Sequence, residues 1–539
     1  MSFDKQPSSK NGSLGLPSEI LVEIFSRCLP TDYVRLSTHP QLLPPFTFAR
    51  VCRLWRHLVL STPRLWSRIV LGRHGTDSSK ELLTFEFWLE RTGETQPLDI
   101  VLDPQIDDAL EVLLNEEVNA RYERDTTKLI ERVCTNSQRW RSLVLDVPDA
   151  TVLGPLFSTL GTLEPNVLAT APLLEELELT TALLVGPDDT RTLHNIATTC
   201  PRLRSLILTC PTLLPSPVGS HDTPVLKNMR ILKLRFCTAV SHALDWIGIC
   251  PNLDYLKVHL LCRTSEEEDD PEIDEFDGLD EEIDLDESDE LDGDGWVVIN
   301  SRPRVHTISR ARGVESIHGT NVWRVDHLTQ LEIVTFSTST PVGTLLDSLS
   351  APSLRSLKVS SFYARAGSLN TRWLHIPLFL HRSDMPPLEE LEINGVPMNC
   401  DDMRACLTLT PGLRKLSIGW FQEFDDLLQE MKISNVHSFR SRHGHSGADS
   451  TLLCPRLETL NVAEAYFSID ILASMVFSRF ALGRRSSPEH CELDVTGLKE
   501  LCVHKNAKEE IGRHPVIAKC VAEGLNLIDV EPLLNVRVH

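Results

Sequence analysis

Two stretches of this 539-residue chain carry residue types that could do chemistry. In the first, His443 and His445 stand in the polar run Ser438 to Ser450, where Gly444-His445-Ser446-Gly447-Ala448 approaches the elbow that exposes a nucleophilic serine. That elbow needs glycine where Ala448 stands, so the histidines read as parts of a solvated loop rather than a catalytic or metal site. In the second, Glu290-x-Asp292-x-Asp294-Gly295 spaces its carboxylates as a calcium loop does. An EF-hand closes with a bidentate glutamate at position twelve, and Ser301 stands there instead. No Walker loop, GxGxxG after a strand, HExxH or kinase set occurs. The expectation is a protein that is not an enzyme and that uses no cofactor and no metal.

Cysteine is the remaining chemical candidate, with 14 in the chain. There is no CxxC pair, which excludes zinc-ribbon and thioredoxin sites. Cys200, Cys210, Cys250 and Cys454 each precede a proline, the use expected of a small buried hydrophobe closing a structural unit. Reduced thiols of this kind fit the cytoplasm or the nucleus. No apolar run approaches the roughly 20 residues of a membrane helix, and Met1 to Gly15 lacks the apolar region of a signal peptide. The Asn11-Gly-Ser13 sequon is accordingly read as incidental.

The net charge of −23 is concentrated in one place. Glu266 to Asp294 holds 19 acidic residues and no lysine or arginine, and the remaining 57 acidic and 53 basic residues leave a net of −4. Such a tract repels itself and has too few apolar residues to order it, so it is expected to be a disordered, dispensable insertion.

What positions everything else is a repeated pattern. LxxLxL, or a close variant, occurs eleven times between residues 140 and 503, beginning at Trp140, Leu174, Leu203, Met229, Leu253, Leu328, Leu354, Leu388, Leu413, Leu457 and Leu498. Apolar residues at every second position have the period of a strand. Recurrence every few tens of residues indicates stacked units that bury their apolar sides on one another, a solenoid. The residues between the buried leucines then point outward. Early copies show Glu176 and Glu178, middle copies Lys233, Arg235, Lys257, His259 and Lys358, and a later one Glu390 and Glu392. This reads as a basic stripe between acidic ends, suited to an acidic or phosphorylated partner. The acidic insertion begins shortly after Val258 and would be tethered beside that stripe.

The N-terminal segment lacks the pattern and reads as helical. Leu16-Pro17-Ser18-Glu19 is a helix start, with proline in the first turn and an acid at the positive helix end. Ile20, Leu21, Ile24 and Phe25 continue it as an apolar stripe. After a proline-rich break, Pro40 to Pro45, a second helix aligns Phe48, Cys52, Trp55 and Val59, with arginines on its other faces. Some of these side chains must pack on one another. A module of roughly fifty residues cannot bury them all, and a leftover apolar face marks a partner site.

Leu16-Pro17-Ser18-Glu19-Ile20-Leu21, Ile24-Phe25, Val51-Cys52-Arg53-Leu54-Trp55-Arg56 and Leu65-Trp66, in this order, resemble the F-box, in the F-box-like form of large fungal families whose members continue into leucine-rich repeats. The resemblance implies that Leu16, Pro17, Ile20, Leu21, Ile24, Phe25, Val51, Cys52, Trp55 and Trp66 bind a Skp-type adaptor, and through it a cullin–RING ubiquitin ligase. The repeats would then hold an unknown protein target on the concave face, through Lys233, Arg235, Lys257, His259 and Lys358. Neither nucleic acid nor membrane is an expected partner.

The expected fold class is α/β: a small helical F-box-like domain followed by an irregular leucine-rich-repeat solenoid with a curved parallel sheet. Its divisions are an N-terminal tail at 1–13, the F-box-like domain at 14–71, a junction with first irregular repeats at 72–135, the repeats at 136–505 with the insertion at 266–294, and a C-terminal cap at 506–539. The alternative is a leucine-rich scaffold in which the helical module only caps the repeats and no ligase is involved.

Overall fold

The computed structural model describes residues 16–29, 44–72, 78–103, 116–161, 170–183, 196–209, 225–237, 239–261, 322–336, 340–362, 373–421, 423–433, 452–485 and 496–531. The acidic tract, Ser446 and the loop of His443 and His445 lie outside these residues.

Strands run through the chain as β1 (Arg68–Leu71), β2 (Leu98–Leu102), β3 (Trp140–Asp149), β4 (Glu176–Leu183), β5 (Ser205–Thr209), β6 (Ile231–Cys237), β7 (Tyr255–Leu260) and β8 (Trp323–Arg324). They continue as β9 (Gln330–Thr335), β10 (Leu349–Ser350), β11 (Ser356–Ser361), β12 (Glu390–Asn394), β13 (Lys415–Gly419), β14 (Thr459–Asn461), β15 (Glu500–His504) and β16 (Asn526–Val530). Among the described residues, 14 of these form one sheet in which spatial order follows chain order, while β8 and β10 pair separately. All pairings in the long sheet are parallel. A parallel neighbour requires a crossover. Helices supply it between the later strands, for example Val240–Gly248, His375–Arg382, Cys400–Thr408 and Ile469–Arg485.

Each of the eleven LxxLxL copies coincides with a strand, β3 to β7, β9 and β11 to β15. The register turns the pattern into an unbroken row: Leu143, Leu177, Leu206, Leu232, Leu256, Leu331, Leu357, Leu391, Leu416, Leu460 and Leu501 stand side by side. None is more than 1% exposed. Burying each contributes about 2 kcal/mol relative to exposure, which makes this row the main support of the sheet.

Strands also form where the pattern is absent. β1 extends the sheet before the first copy, with Ile69 and Leu71 buried and Arg68 and Val70 half-buried. β16 extends it beyond the last copy and is the least buried strand, with only partial cover. β2 is buried along its whole length, as a strand covered on both faces would be.

Cys200, Cys250 and Cys454 are buried where their spacing before proline placed them, and Cys210 lies outside the described residues. Burial pushes their thiols up, Cys200 to about 11 and Cys250 and Cys454 to about 12. Thiolate is the reactive form, so a thiol reagent at neutral pH should leave these three unmodified. Exposed Cys28 and Cys52 should be labelled first, and mass spectrometry of the labelled peptides checks this.

One glycine is required by its neighbours. Gly395, just after β12, has φ +63°, and a Cβ there would lie 2.0 Å from the Ser361 carbonyl oxygen. Gly395→Ala should therefore destabilise the chain by about 2 kcal/mol or more, combining left-handed strain with a backbone clash. Chemical denaturation measures it.

Candidate functional site

Two surfaces carry the side chains singled out by the sequence. The first is built on α1 (Ser18–Arg27), α2 (Phe46–Ala49), α3 (Arg53–Leu60) and the tight turn Pro63–Trp66. Pro17 caps α1 and its carbonyl accepts from the N–H groups of Ile20 and Leu21. The 100° step between successive helical residues then divides the stripe. Leu21 and Phe25 face inward and are 5% and 1% exposed, whereas Leu16, Ile20 and Ile24 are 44%, 47% and 41% exposed.

Phe25 holds the module together. Its ring stacks on Phe48 at 4.8 Å and meets Trp55 edge-on at 4.7 Å. Trp66, 1% exposed, donates its indole N–H to the Val59 carbonyl at 2.8 Å. Leu21, Phe25 and Trp66 are therefore core residues of the module and are not available to a partner's surface. Trp55 is half-buried against Phe25.

The start of α3 contributes the rest of the surface. Cys52 caps α3 in an extended conformation, its Sγ accepting from the Trp55 N–H at 3.5 Å. Val51 and Leu54 are 61% and 43% exposed beside it, and Cys52 and Pro17 are exposed as well. Leu54 was not singled out in the sequence, although its place next to Trp55 on the same helix could have indicated it. Outside this apolar face, Glu23 bonds Arg64 at 2.7 Å and Arg27 at 3.0 Å. The Arg64 and Arg27 guanidinium groups hold the Glu23 carboxyl below its usual range. What the arrangement can do is present apolar side chains from two helices, the form of surface that docks against another helical protein.

The module is also anchored behind. Trp66 meets Trp88 of α4 (Ser78–Thr92) at 5.1 Å, and Phe46 packs on Phe87 and Trp88. Arg91 lies over the Phe87 ring at 3.3 Å. The residues that anchor it and the residues left exposed are thus different ones.

The second surface is the side of the sheet away from the leucine row. Register places Glu178, Ile207, Lys233, Lys257, Glu332, Lys358 and Glu392 in one line across β4 to β12. The five predicted residues Lys233, Arg235, Lys257, His259 and Lys358 do lie on this side, but the line is not the basic stripe that the lysines suggest. β9 lies between β7 and β11 and inserts Glu332. Lys257 bonds Glu332 at 2.5 Å, and Lys358 lies 3.3 Å from Glu390 and 3.5 Å from Glu392. Arg235 faces Glu178 at 3.9 Å. Lys233 has no carboxylate partner among the described residues, and its ammonium lies 5.7 Å from the centre of the Tyr255 ring.

Tyr255 and Glu332 complete a network that the sequence reading missed. The Tyr255 hydroxyl donates to Glu332 at 2.9 Å. Burial raises the Glu332 carboxyl, but bonding to Lys257 outweighs it and leaves the group below its usual range. Burial, followed by the nearby charges of Lys257 and Arg235, pushes His259 down to about 4, so its imidazole is neutral at pH 7. Burial raises Glu392 despite Lys358. Both residues of the network occupy outward positions of the repeated pattern, which is the signal that could have found them.

Among the described residues, no group of three or more histidine, cysteine, aspartate or glutamate side chains could hold a metal ion. No helix there is long and apolar enough to cross a membrane.

With this geometry in place, comparison with known proteins adds one finding. The F-box-like family model matches residues 14–72, the segment that contains α1 to α3, the Pro63–Trp66 turn and β1. An F-box-like domain thus forms the N-terminus of the described structure, and domains of this kind generally bind Skp-type adaptors. No curated protein matches the chain.

Proposed function

We propose that this chain is a substrate-recognition subunit of a cullin–RING ubiquitin ligase of the SCF type, an F-box-like leucine-rich-repeat protein of the fungal kind. The N-terminal domain holds the adaptor through Leu16, Pro17, Ile20, Ile24, Val51 and Cys52. The strands form an irregular leucine-rich-repeat solenoid whose open side receives a protein target. The chain makes and breaks no bond itself. It acts by tethering, which replaces a bimolecular encounter between target and ubiquitin carrier by one at high effective concentration. Such a role places it in the cytoplasm, the nucleus or both.

The observation that carries this reading is the row of Leu16, Ile20 and Ile24, exposed on a domain that buries Leu21, Phe25, Val59, Leu65 and Trp66. A helical cap for the repeats would have no use for that row. The scaffold reading draws instead on the contact between Trp66 and Trp88, which seats the domain on the rest of the chain. The two readings differ in whether the exposed row is used.

Affinity purification from cells with the proteasome blocked tests this. Wild-type chain should retain adaptor and cullin together with ubiquitylated proteins. Ile20→Ala/Ile24→Ala chain should lose adaptor and cullin and retain the same proteins unmodified. Equal recovery of adaptor by both would end the proposal.

A further inference from the structure

Two aromatic residues near strand ends have backbones in the left-handed region, Phe236 at φ +60° and Trp420 at φ +56°. A bulky side chain rarely adopts this conformation, and where it does the strain points to a use. Phe236 lies in a bulge of β6, where register to β7 shifts between Leu234 and Cys237. It is half-buried, with its ring against His259 and Phe336 at 6.3 and 6.2 Å. Trp420, just after β13, has no such cover. Leu416 and Ile418 are buried, so regular alternation would turn residue 420 inward as well. Instead Phe421 takes the buried place, 4% exposed, and Trp420 is left 54% exposed.

Two connections meet at Trp420. Its N–H donates to the Glu464 carbonyl at 2.9 Å, and Tyr466, two residues further on, is 81% exposed. Gly419 pairs in register with Asn394 on the open side of the sheet, and a Cβ there would lie 3.1 Å from Glu464 Oε2. That carboxylate therefore stands beside the backbone that leads into Trp420. From Trp420 to Met431 and from Asn461 to Ser478 the chain has no lysine or arginine. The same stretches carry Glu423, Asp425, Asp426, Glu430, Glu464 and Asp470. Arg404 bonds Glu430 and His514 bonds Asp470. Glu423 and Asp425 instead accept backbone N–H groups, from Cys400 and Ser468, and pair with no cation among the described residues.

We propose that Trp420 and Tyr466, with the acidic connections that carry them, dock an arginine side chain from a basic segment of the target. This rests on the reading that the open side receives the target. Exposed tryptophan and tyrosine are the side chains that most often dominate an interface. Holding Trp420 in a strained backbone and leaving its ring in water both cost stability, and a partner that covers the ring recovers part of that cost. The local charge selects the partner. Carboxylates without nearby lysine or arginine repel acidic and phosphorylated segments and attract cations. Arginine fits best, because a guanidinium can stack on an indole face while its N–H groups reach a carboxylate such as that of Glu464.

The test is selection of a displayed random-peptide library on the immobilised full chain. Enriched peptides should carry arginine. Their affinity should fall at least about tenfold when citrulline, which keeps the shape and loses the charge, replaces that arginine. It should fall as much on Trp420→Gly, and less on Trp420→Phe, which keeps a ring. Glycine suits the left-handed backbone, so Trp420→Gly chain should unfold at the same or a higher denaturant concentration than wild type. A purely structural tryptophan would give the opposite shift. Enriched peptides without arginine overturn the site. So do peptides indifferent to Trp420→Gly and Tyr466→Ala but weakened by Lys233→Glu or Lys358→Glu, which leave the open side as the target-binding side. Enrichment that responds to no substitution on this side, or no enrichment, overturns both.

Discussion

Ile20→Ala combined with Ile24→Ala will weaken binding of a Skp-type adaptor at least about thirtyfold, with the chain as stable as before. The size follows from what central, desolvated interface residues lose on truncation, commonly more than about 2 kcal/mol. Stability should hold because both side chains are exposed, 47% and 41%, and alanine is the best helix former for α1. Phe25→Ala is the contrasting case. Phe25 is 1% exposed and packs between Phe48 and Trp55, so its truncation should cost about 3–5 kcal/mol of stability. Any loss of adaptor binding by that variant would follow from a damaged domain. Titration calorimetry and chemical denaturation on the same preparations separate the two effects.

Arg479→Met should be strongly destabilising. Arg479 lies in the helix Ile469–Arg485, is 1% exposed and has no carboxylate partner among the described residues. Its guanidinium donates to three carbonyls: Met431 at 2.9 Å, Cys454 at 2.8 Å and Leu453 at 2.6 Å. Met431 ends the helix Phe424–Met431, and Cys454 is held at φ +47°. One side chain thereby fixes a helix end and a strained connection. Removing the charge relieves a burial cost of several kcal/mol. It also strands the buried carbonyls of Met431 and Leu453 at about 1–3 kcal/mol each, while the Cys454 carbonyl keeps its bond from the Leu457 N–H, and the helix-end carbonyl loses a favourable cation as well. The carbonyls should win, for a net loss of about 2 kcal/mol. Arg479→Lys should fall between, because a point-like ammonium cannot span three acceptors as the planar fork does. Denaturant midpoints with matched slopes would show this order, and an Arg479→Met chain as stable as wild type would refute it.

Eleven strands were legible in the sequence because each carries three apolar residues at fixed spacing, and the register keeps those residues in line. β1 and β16 were not. β1 has only Ile69 and Leu71 buried over four residues, and β16 is only partly covered, so neither offers the leading leucine that marks the others. On α1 the sequence could identify an apolar stripe but not divide it. Residues 20 and 24 and residues 21 and 25 are each four apart and satisfy the same periodicity. The position of Phe48 and Trp55, which selects Phe25 as the inward residue, is a tertiary fact.

The charge pattern was hidden for a topological reason. Lys257 and Glu332 are 2.5 Å apart although the acidic tract and its flanks separate them in the chain; Glu332 holds the outward position of the next LxxLxL copy, so its place beside Lys257 follows only once the copies are stacked in register. Phe236 escaped notice because a bulge has no periodic signature: the regular alternation predicts that it points into the core.

The proposed role depends on the N-terminal domain using its exposed row to hold an adaptor. Calorimetric titration of the purified full chain with a purified Skp-type adaptor, at several temperatures, tests it most directly. A saturable one-to-one complex should form with a negative heat-capacity change, the mark of apolar burial, and it should be lost in Ile20→Ala/Ile24→Ala. No complex with the wild type, or equal affinity for wild type and variant, would contradict it.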